Sequence, residues 1–198
     1  MSDKKILGYI NEDSIVTEEQ AKILTHIHVA FGRLTMEGTI SFKNHPFLKQ
    51  LPQIRKWNPE IKVILSVIGE EPGAFTVCSA YPCVSTNGSE CSPEDKQNFT
   101  LLCQAAKKGV QAAGGSVSIA AAAELFYLES TEPEKLAKIL DYVCLMTYDL
   151  KGNPHAVTGH HTALYASTGD IFRNSCDQAL RLFEKYGFPK EKLLMGAA

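Results

Sequence analysis

Short apolar runs bounded by polar and turn-forming residues recur along the chain, and most are followed by a stretch with helical spacing. Ile6 to Ile10 is the first run, and Thr17 with Gln20 forms a capping box that opens a helix through Leu24. Thr25 to Phe31 alternates as a second strand, with Ile27, Val29 and Phe31 on one face and His26, His28 and Ala30 on the other. After the Met36-Glu37-Gly38 turn and a loop over Ser41 to Asn44, Pro46 to Trp57 is helical in pattern, with Pro52 as a point where it divides. Lys62 to Gly69 is the third strand.

From Gly69 to Glu90 neither helical nor alternating spacing is present, an unusual length for a connection inside a compact domain. Order resumes at Ser92. Ser92 as N-cap, Pro93 at the first helical position and Asp95 predict a helix whose apolar stripe is Phe99, Leu102, Ala106, Val110 and Ala113, ended by Gly114-Gly115. Ser116 to Ala122 is a strand of small residues. Ser130 or Thr131 then caps a helix with Leu136, Ile139 and Leu140 inward. Tyr142 to Met146 reads as a buried parallel strand, and Thr147, Tyr148 and Asp149 stand at its carboxyl end, where ligand sites of parallel α/β folds gather. A last helix places Phe172, Cys176, Ala179, Leu180 and Phe183 on one face, stops at Gly187 and leads to a strand over Leu193 to Ala197. The alternation predicts an α/β fold with about six parallel strands and surrounding helices.

Composition narrows the function. With 198 residues, 44% hydrophobic and 21% charged, the chain has material for one domain, just under the lower end of closed (β/α)8 barrels at about 200 residues. A net charge of −2 with interspersed signs leaves no basic stripe, which argues against nucleic acid or a membrane surface as partner. The charged N-terminus leads into too short an apolar run for a secretory leader, so a cytoplasmic location is expected, with reduced thiols at Cys78, Cys83, Cys91, Cys103, Cys144 and Cys176. No Cys pair has C-x-x-C spacing, and neither a metal nor a cofactor is expected.

Met146-Thr147-Tyr148-Asp149, with Gly152, Thr158-Gly159-His160-His161 and Leu164-Tyr165 after it, resembles the sixth barrel strand of glycoside hydrolase family 18, the chitinase family. Ile6 to Asn11 and Thr25 to Phe31 look like its first and second strands. Lys62 to Gly69 resembles the third, with Ile68 where that family usually has a second glycine. Gln97 to Leu102, Ser116 to Ala122 and Lys192 to Ala198 extend the likeness. The resemblance implies an incomplete (β/α)8 barrel over residues 1–198. The fourth strand should carry Asp-x-x-Asp-x-Asp-x-Glu before Tyr-Pro; here Ala80 precedes Tyr81-Pro82, so that strand is expected to be missing, as is the eighth.

The likeness also implies a chemistry. Most glycosidases use two carboxyl groups, whereas family 18 is a substrate-assisted exception in which the sugar's acetamido oxygen attacks the anomeric carbon. The missing Glu would be the acid, and the Asp two residues before it would orient the acetamide. By resemblance Tyr148 is the catalytic-site hydroxyl on the acetamide oxygen, Asp149 a pocket residue and Met146 the floor of the subsite, with Tyr9 and Phe31 in the sugar platform. Read without the family, Tyr148 is equally a core tyrosine at a strand end, and Tyr9 and Phe31 are equally core packing. The paired histidines read as residues that fix the loop. The expectation is a chitinase-type chain that does not turn over; alternatives are a non-hydrolytic binder of chitooligosaccharides, or an incomplete fragment without independent function.

Overall fold

The computed structural model describes residues 4–35, 39–42, 45–69, 92–151 and 158–197, and by its internal contacts the chain divides into two units, Met1–Cys78 and Ser79–Ala198. In the first, β1 (Leu7–Ile10) and β2 (His26–Leu34) run parallel, β3 (Ile40–Ser41) turns back antiparallel on the end of β2, and β4 (Lys62–Gly69) lies parallel on the other side of β2. The region read as loop after position 40 thus opens with a short hairpin strand, closed by the Thr35 N–H on the Thr39 carbonyl at 2.8 Å.

Helix α1 (Glu18–Ile23) starts where the capping box places it. The Gln20 N–H donates to the Thr17 hydroxyl at 3.3 Å, and the Thr17 N–H donates to the Gln20 side chain at 3.0 Å. Such caps are worth about 1 kcal/mol. Helix α2 (Phe47–Trp57) runs through Pro52 without a break, and Pro52 sits on its exposed face. Ile10, Ile27 and Val29 from the strands meet Ala21, Phe47 and Ile54 from the helices in one buried cluster, and Trp57 packs against it. Fully burying each large aliphatic or aromatic side chain contributes about 1.5–3 kcal/mol.

The second unit opens with α3 (Asp95–Gln111). Its start differs from the expected cap: Ser92 is not the N-cap, and the Asp95 carboxylate instead accepts the Ser92 N–H at 2.9 Å. The buried positions are Phe99, Thr100 and Cys103, while Ala106 is exposed. Of the other expected stripe positions, Leu102 and Val110 are half-buried and Ala113 is exposed; between Cys103 and Val110 stands Lys107, its ammonium reaching both Asp141 oxygens at 2.6 and 2.7 Å. Gly114, at φ +68°, ends the run of turns, and the Gly115 N–H closes on the Val110 carbonyl at 2.9 Å.

Three parallel strands follow, β5 (Ser118–Ala122), β6 (Tyr142–Met146) and β7 (Leu193–Met195), with β6 central. Between β5 and β6 lie α4 (Leu125–Glu129) and α5 (Pro133–Ile139). Thr131 does not cap α5 as expected; its buried hydroxyl donates back to the Tyr127 carbonyl at 2.9 Å and closes α4, leaving Pro133 to begin α5. Helix α6 (Cys176–Lys185) is capped by Ser175, whose hydroxyl accepts the Gln178 N–H at 3.2 Å. Phe172 lies before it and is exposed, not on its apolar face. Val143 and Leu145 of β6 are wholly buried, as are Leu136, Leu140 and Phe183 of the covering elements. Among the described residues no helix is long and apolar enough to cross a membrane.

Candidate functional site at the carboxyl ends of the strands

The end of β6 is fixed by hydrogen bonds on every side. Thr147, fully buried, donates its hydroxyl to the Gly196 carbonyl at 2.6 Å and its N–H to the Leu145 carbonyl at 2.9 Å. Its own carbonyl accepts the Thr162 hydroxyl at 2.7 Å and the Cys176 thiol at 3.7 Å. The Gly196 N–H returns to the Leu145 carbonyl at 2.9 Å. Two strands and a loop are thereby joined around one residue, and the next residue is Tyr148.

The half-buried Tyr148 ring lies against Gly196: a Cβ there would stand 3.1 Å from Tyr148 Cε1 and 2.5 Å from the Leu145 carbonyl oxygen. Only a glycine permits that approach. The His161 ring lies nearly parallel to Tyr148, with centroids 6.4 Å apart. Asp149 takes a left-handed backbone at φ +56°, a conformation Asp tolerates better than most residues. Its Oδ1 is 2.6 Å from His161 Nε2. A carboxylate only accepts, so Nε2 carries the proton of this bond. The pair is exposed, which leaves the carboxylate open to solvent and to a ligand. Met146 is half-buried on the strand face opposite Val143 and Leu145.

His161 fixes the loop by tying it to Asp149. Thr162 and Gly196, which with Thr147 hold Tyr148 in place, carry no periodic signal as a hydroxyl and a glycine position, so spacing alone does not mark them.

Tyr9 and Phe31 belong to the first unit. Tyr9 is 46% exposed, its ring edge-on to His28 at 4.7 Å, so it is a surface aromatic rather than a core residue. His26 and His28 are buried, and burial is the main cause that lowers both pKa values; Lys62 and Lys5 add to it for His26, while His28, with His26 beside it, falls to about 4. Both imidazoles are neutral at pH 7, as core histidines are.

Phe31 departs from the expected alternation. Register passes from Ala30 opposite Ser66 to Gly32 opposite Val67, which makes Phe31 an extra residue in a bulge and ends the regular alternation there. The bulge has its own brace. His45, buried, accepts the Phe47 N–H on Nδ1 at 3.2 Å, so Nε2 is the protonated nitrogen and donates to the Ala30 carbonyl at 3.2 Å.

A proton donor for glycoside cleavage needs a raised pKa. Among the described residues, every carboxyl whose pKa departs clearly from the ordinary range is lowered. The Ser92 side chain does this for Glu94, Lys135 for Glu132 and Lys151 for Asp170. At Asp141 burial pulls upward, and the Lys107 and Val117 hydrogen bonds outweigh it. Nor do the described His, Cys, Asp and Glu residues form a group of three or more that could hold a metal ion. Residues 70–91, where Tyr81-Pro82, Cys78, Cys83, Cys91 and the expected gap in the barrel fall, lie outside the described residues, as does Gly152.

The family model for glycosyl hydrolases family 18 matches residues 79–198. This chain belongs to glycosyl hydrolases family 18. A family 18 N-acetylglucosaminidase from Paenibacillus barengoltzii superposes with a TM-score of 0.86 at 32% identity, over 98% of this chain and 68% of that one. Chitotriosidase-1 of Mus musculus is 26% identical over 88% of this chain and 46% of its own length. Chitinase A1 of Niallia circulans is 36% identical over 39% of this chain and 12% of its own length. The chain thus spans less than half of these curated relatives. Its fold is α/β, an incomplete (β/α)8 barrel of the family 18 type, with parallel strands β1, β2 and β4 in one unit and β5, β6 and β7 in the other.

Proposed function

We propose that residues 1–198 form one family 18 domain that holds a chitooligosaccharide at the carboxyl end of β6 and does not hydrolyse it. One observation carries this reading: nowhere in the sequence is an Asp followed two places later by a Glu, while Tyr148 and Asp149 are both present. The family's acid and the carboxylate that orients the acetamide therefore have no counterpart, and Ala80 stands where the acid should precede Tyr81-Pro82. Losing general-acid help costs about 10²- to 10⁴-fold in rate, and losing the orienting group removes the alignment that makes the acetamide a nucleophile. Binding does not need either. The Tyr148 phenol and Asp149 carboxylate can hydrogen-bond a neutral sugar, and the names of the relatives, an N-acetylglucosaminidase and two chitin-cleaving enzymes, support N-acetylglucosamine as its unit.

Calorimetric titration with chitotriose tests the reading. Saturable binding that Tyr148→Ala weakens at least about tenfold, a change of 1.4 kcal/mol, is expected; binding that is absent, or indifferent to Tyr148→Ala, overturns it. A second reading, a fragment without independent function, draws support from the strand edges: among the described residues β1, β4, β5 and β7 each pair on one side only. A cooperative thermal transition of a monodisperse chain would remove that second reading.

A further inference from the structure

After β6, Lys151 and residues between Thr158 and Phe172 line a half-open cavity of about 340 Å³ that neither Tyr148 nor Asp149 lines. We propose that it is a separate saccharide subsite that takes one neutral pyranose ring, the N-acetylglucosamine unit of a chitooligosaccharide. That the ligand is a neutral pyranose is argued from the cavity alone; that it is N-acetylglucosamine rests on the function proposed above.

Charge comes first. Among the described lining residues Lys151 is the one lysine or arginine and Asp170 the one carboxylate, and they are paired at 2.8 Å with side chains 7% and 12% exposed. The wall is therefore close to neutral, which disfavours a phosphate or carboxylate ligand and suits a polyol. One of the three ammonium N–H donors goes to Asp170, and the hydroxyls of Thr158 and Thr168 add groups that both donate and accept. A sugar also has an apolar face of C–H groups, and the wall offers aromatic surface for it: Tyr165 is 67% exposed and Phe172 53%.

The polar groups are built in place. Gly169, at φ +84°, forms a turn closed by the Asp170 N–H on the Ser167 carbonyl at 3.1 Å, and Asp170 Oδ1 then accepts the Phe172 N–H at 3.1 Å. Lys151 is held from the other side. A Cβ at Gly159 would come within 2.8 Å of its Cγ, so the loop backbone lies directly on the lysine stem, and its ammonium stands 5.4 Å from the centre of the Phe172 ring. A buried ion pair fixed by turn, glycine and aromatic ring is a costly arrangement for a loop of no function, because neither charge is free to return to water.

The test is a titration of the ¹⁵N-labelled 198-residue protein with N-acetylglucosamine and with chitobiose, followed by amide shifts. Saturable shifts at Thr168, Gly169 and Asp170 are expected, surviving Tyr148→Ala and weakened at least about tenfold by Tyr165→Ala. Thr168→Val, a nearly isosteric change at an exposed position, should weaken them as well. Shifts confined to Thr147, Tyr148 and Asp149 would remove the subsite and leave the proposed function standing. Shifts at 168–170 alone, unaffected by Tyr148→Ala, would keep the subsite and remove that function. No saturable shift at 168–170 at millimolar sugar overturns the subsite.

Discussion

The carboxyl ends of β2 and β6 are built on opposite principles. At β2 the chain leaves register at Phe31, one buried histidine props the bulge, and the neighbouring Tyr9 is held by an edge-on contact with a second. At β6 five hydrogen bonds converge on Thr147 and Gly196, and Tyr148 rests on a glycine backbone. Packing against His28, whose pKa burial lowers to about 4, makes the first sensitive to acid. A closed hydrogen-bond network makes the second sensitive to single atoms.

Acid gives the largest expected effect, and it should fall on the first unit. His28 binds its proton near pH 6.5 when unfolded and near 4 when folded, so between those values the unfolded chain holds more protons. Stability is therefore fully present above about pH 6.5 and is lost as pH falls toward 4, by up to about 3 kcal/mol from this residue. Trp57, the single tryptophan, packs against the core of the first unit, and its fluorescence in urea at pH 7 and 4.5 reads the change. A midpoint that does not fall at pH 4.5 in wild type, or that falls as far in His28→Gln, would show that His28 does not set the acid sensitivity of the first unit.

Gly196→Ala comes next and should act only at β6. Its Cβ would overlap the Leu145 carbonyl, an overpacking that costs about 1–3 kcal/mol. Amide exchange at Leu145 to Asp149 should accelerate while Trp57 fluorescence in urea is unchanged. Gly109→Ala in α3 is the control: nothing lies within 4 Å of its Cβ, and relief of helix-interior glycine should stabilise by about 0.5–1 kcal/mol. Thr147→Val removes the hydroxyl but not the bulk and leaves the Gly196 carbonyl short of a donor, a loss of about 1–2 kcal/mol in urea titrations followed by tyrosine near-ultraviolet circular dichroism. The smallest effect is His161→Ala. The exposed pair with Asp149 contributes less than about 1 kcal/mol, so melting should hardly move, whereas chitotriose affinity should change because Asp149 loses its tether.

The same contrast governs how much was legible in the sequence. β4 and β6 are legible to the residue because an apolar run ended by a glycine or by polar residues leaves little choice, and the start of α1 because Thr17 and Gln20 satisfy one another reciprocally. The bulge at Phe31 was not legible. It is fixed by His45, which lies fourteen positions on and makes its bond through tertiary placement. Thr131 looked like a cap because threonine in that position bonds either forward to an amide or back to a carbonyl, and the short α4 decides for the carbonyl. Tyr148 and Asp149 are candidates through their motif, while the groups that hold them, Thr147, Thr162 and Gly196, come from three separate segments that spacing does not connect.

The proposed lack of a proton donor is tested most directly by product analysis. Chitopentaose incubated with the purified chain at equimolar concentration and examined by mass spectrometry should remain intact, in wild type and in Tyr148→Phe alike. Shorter oligomers formed by wild type and lost in Tyr148→Phe would contradict it, because some carboxyl of this chain would then be delivering the proton.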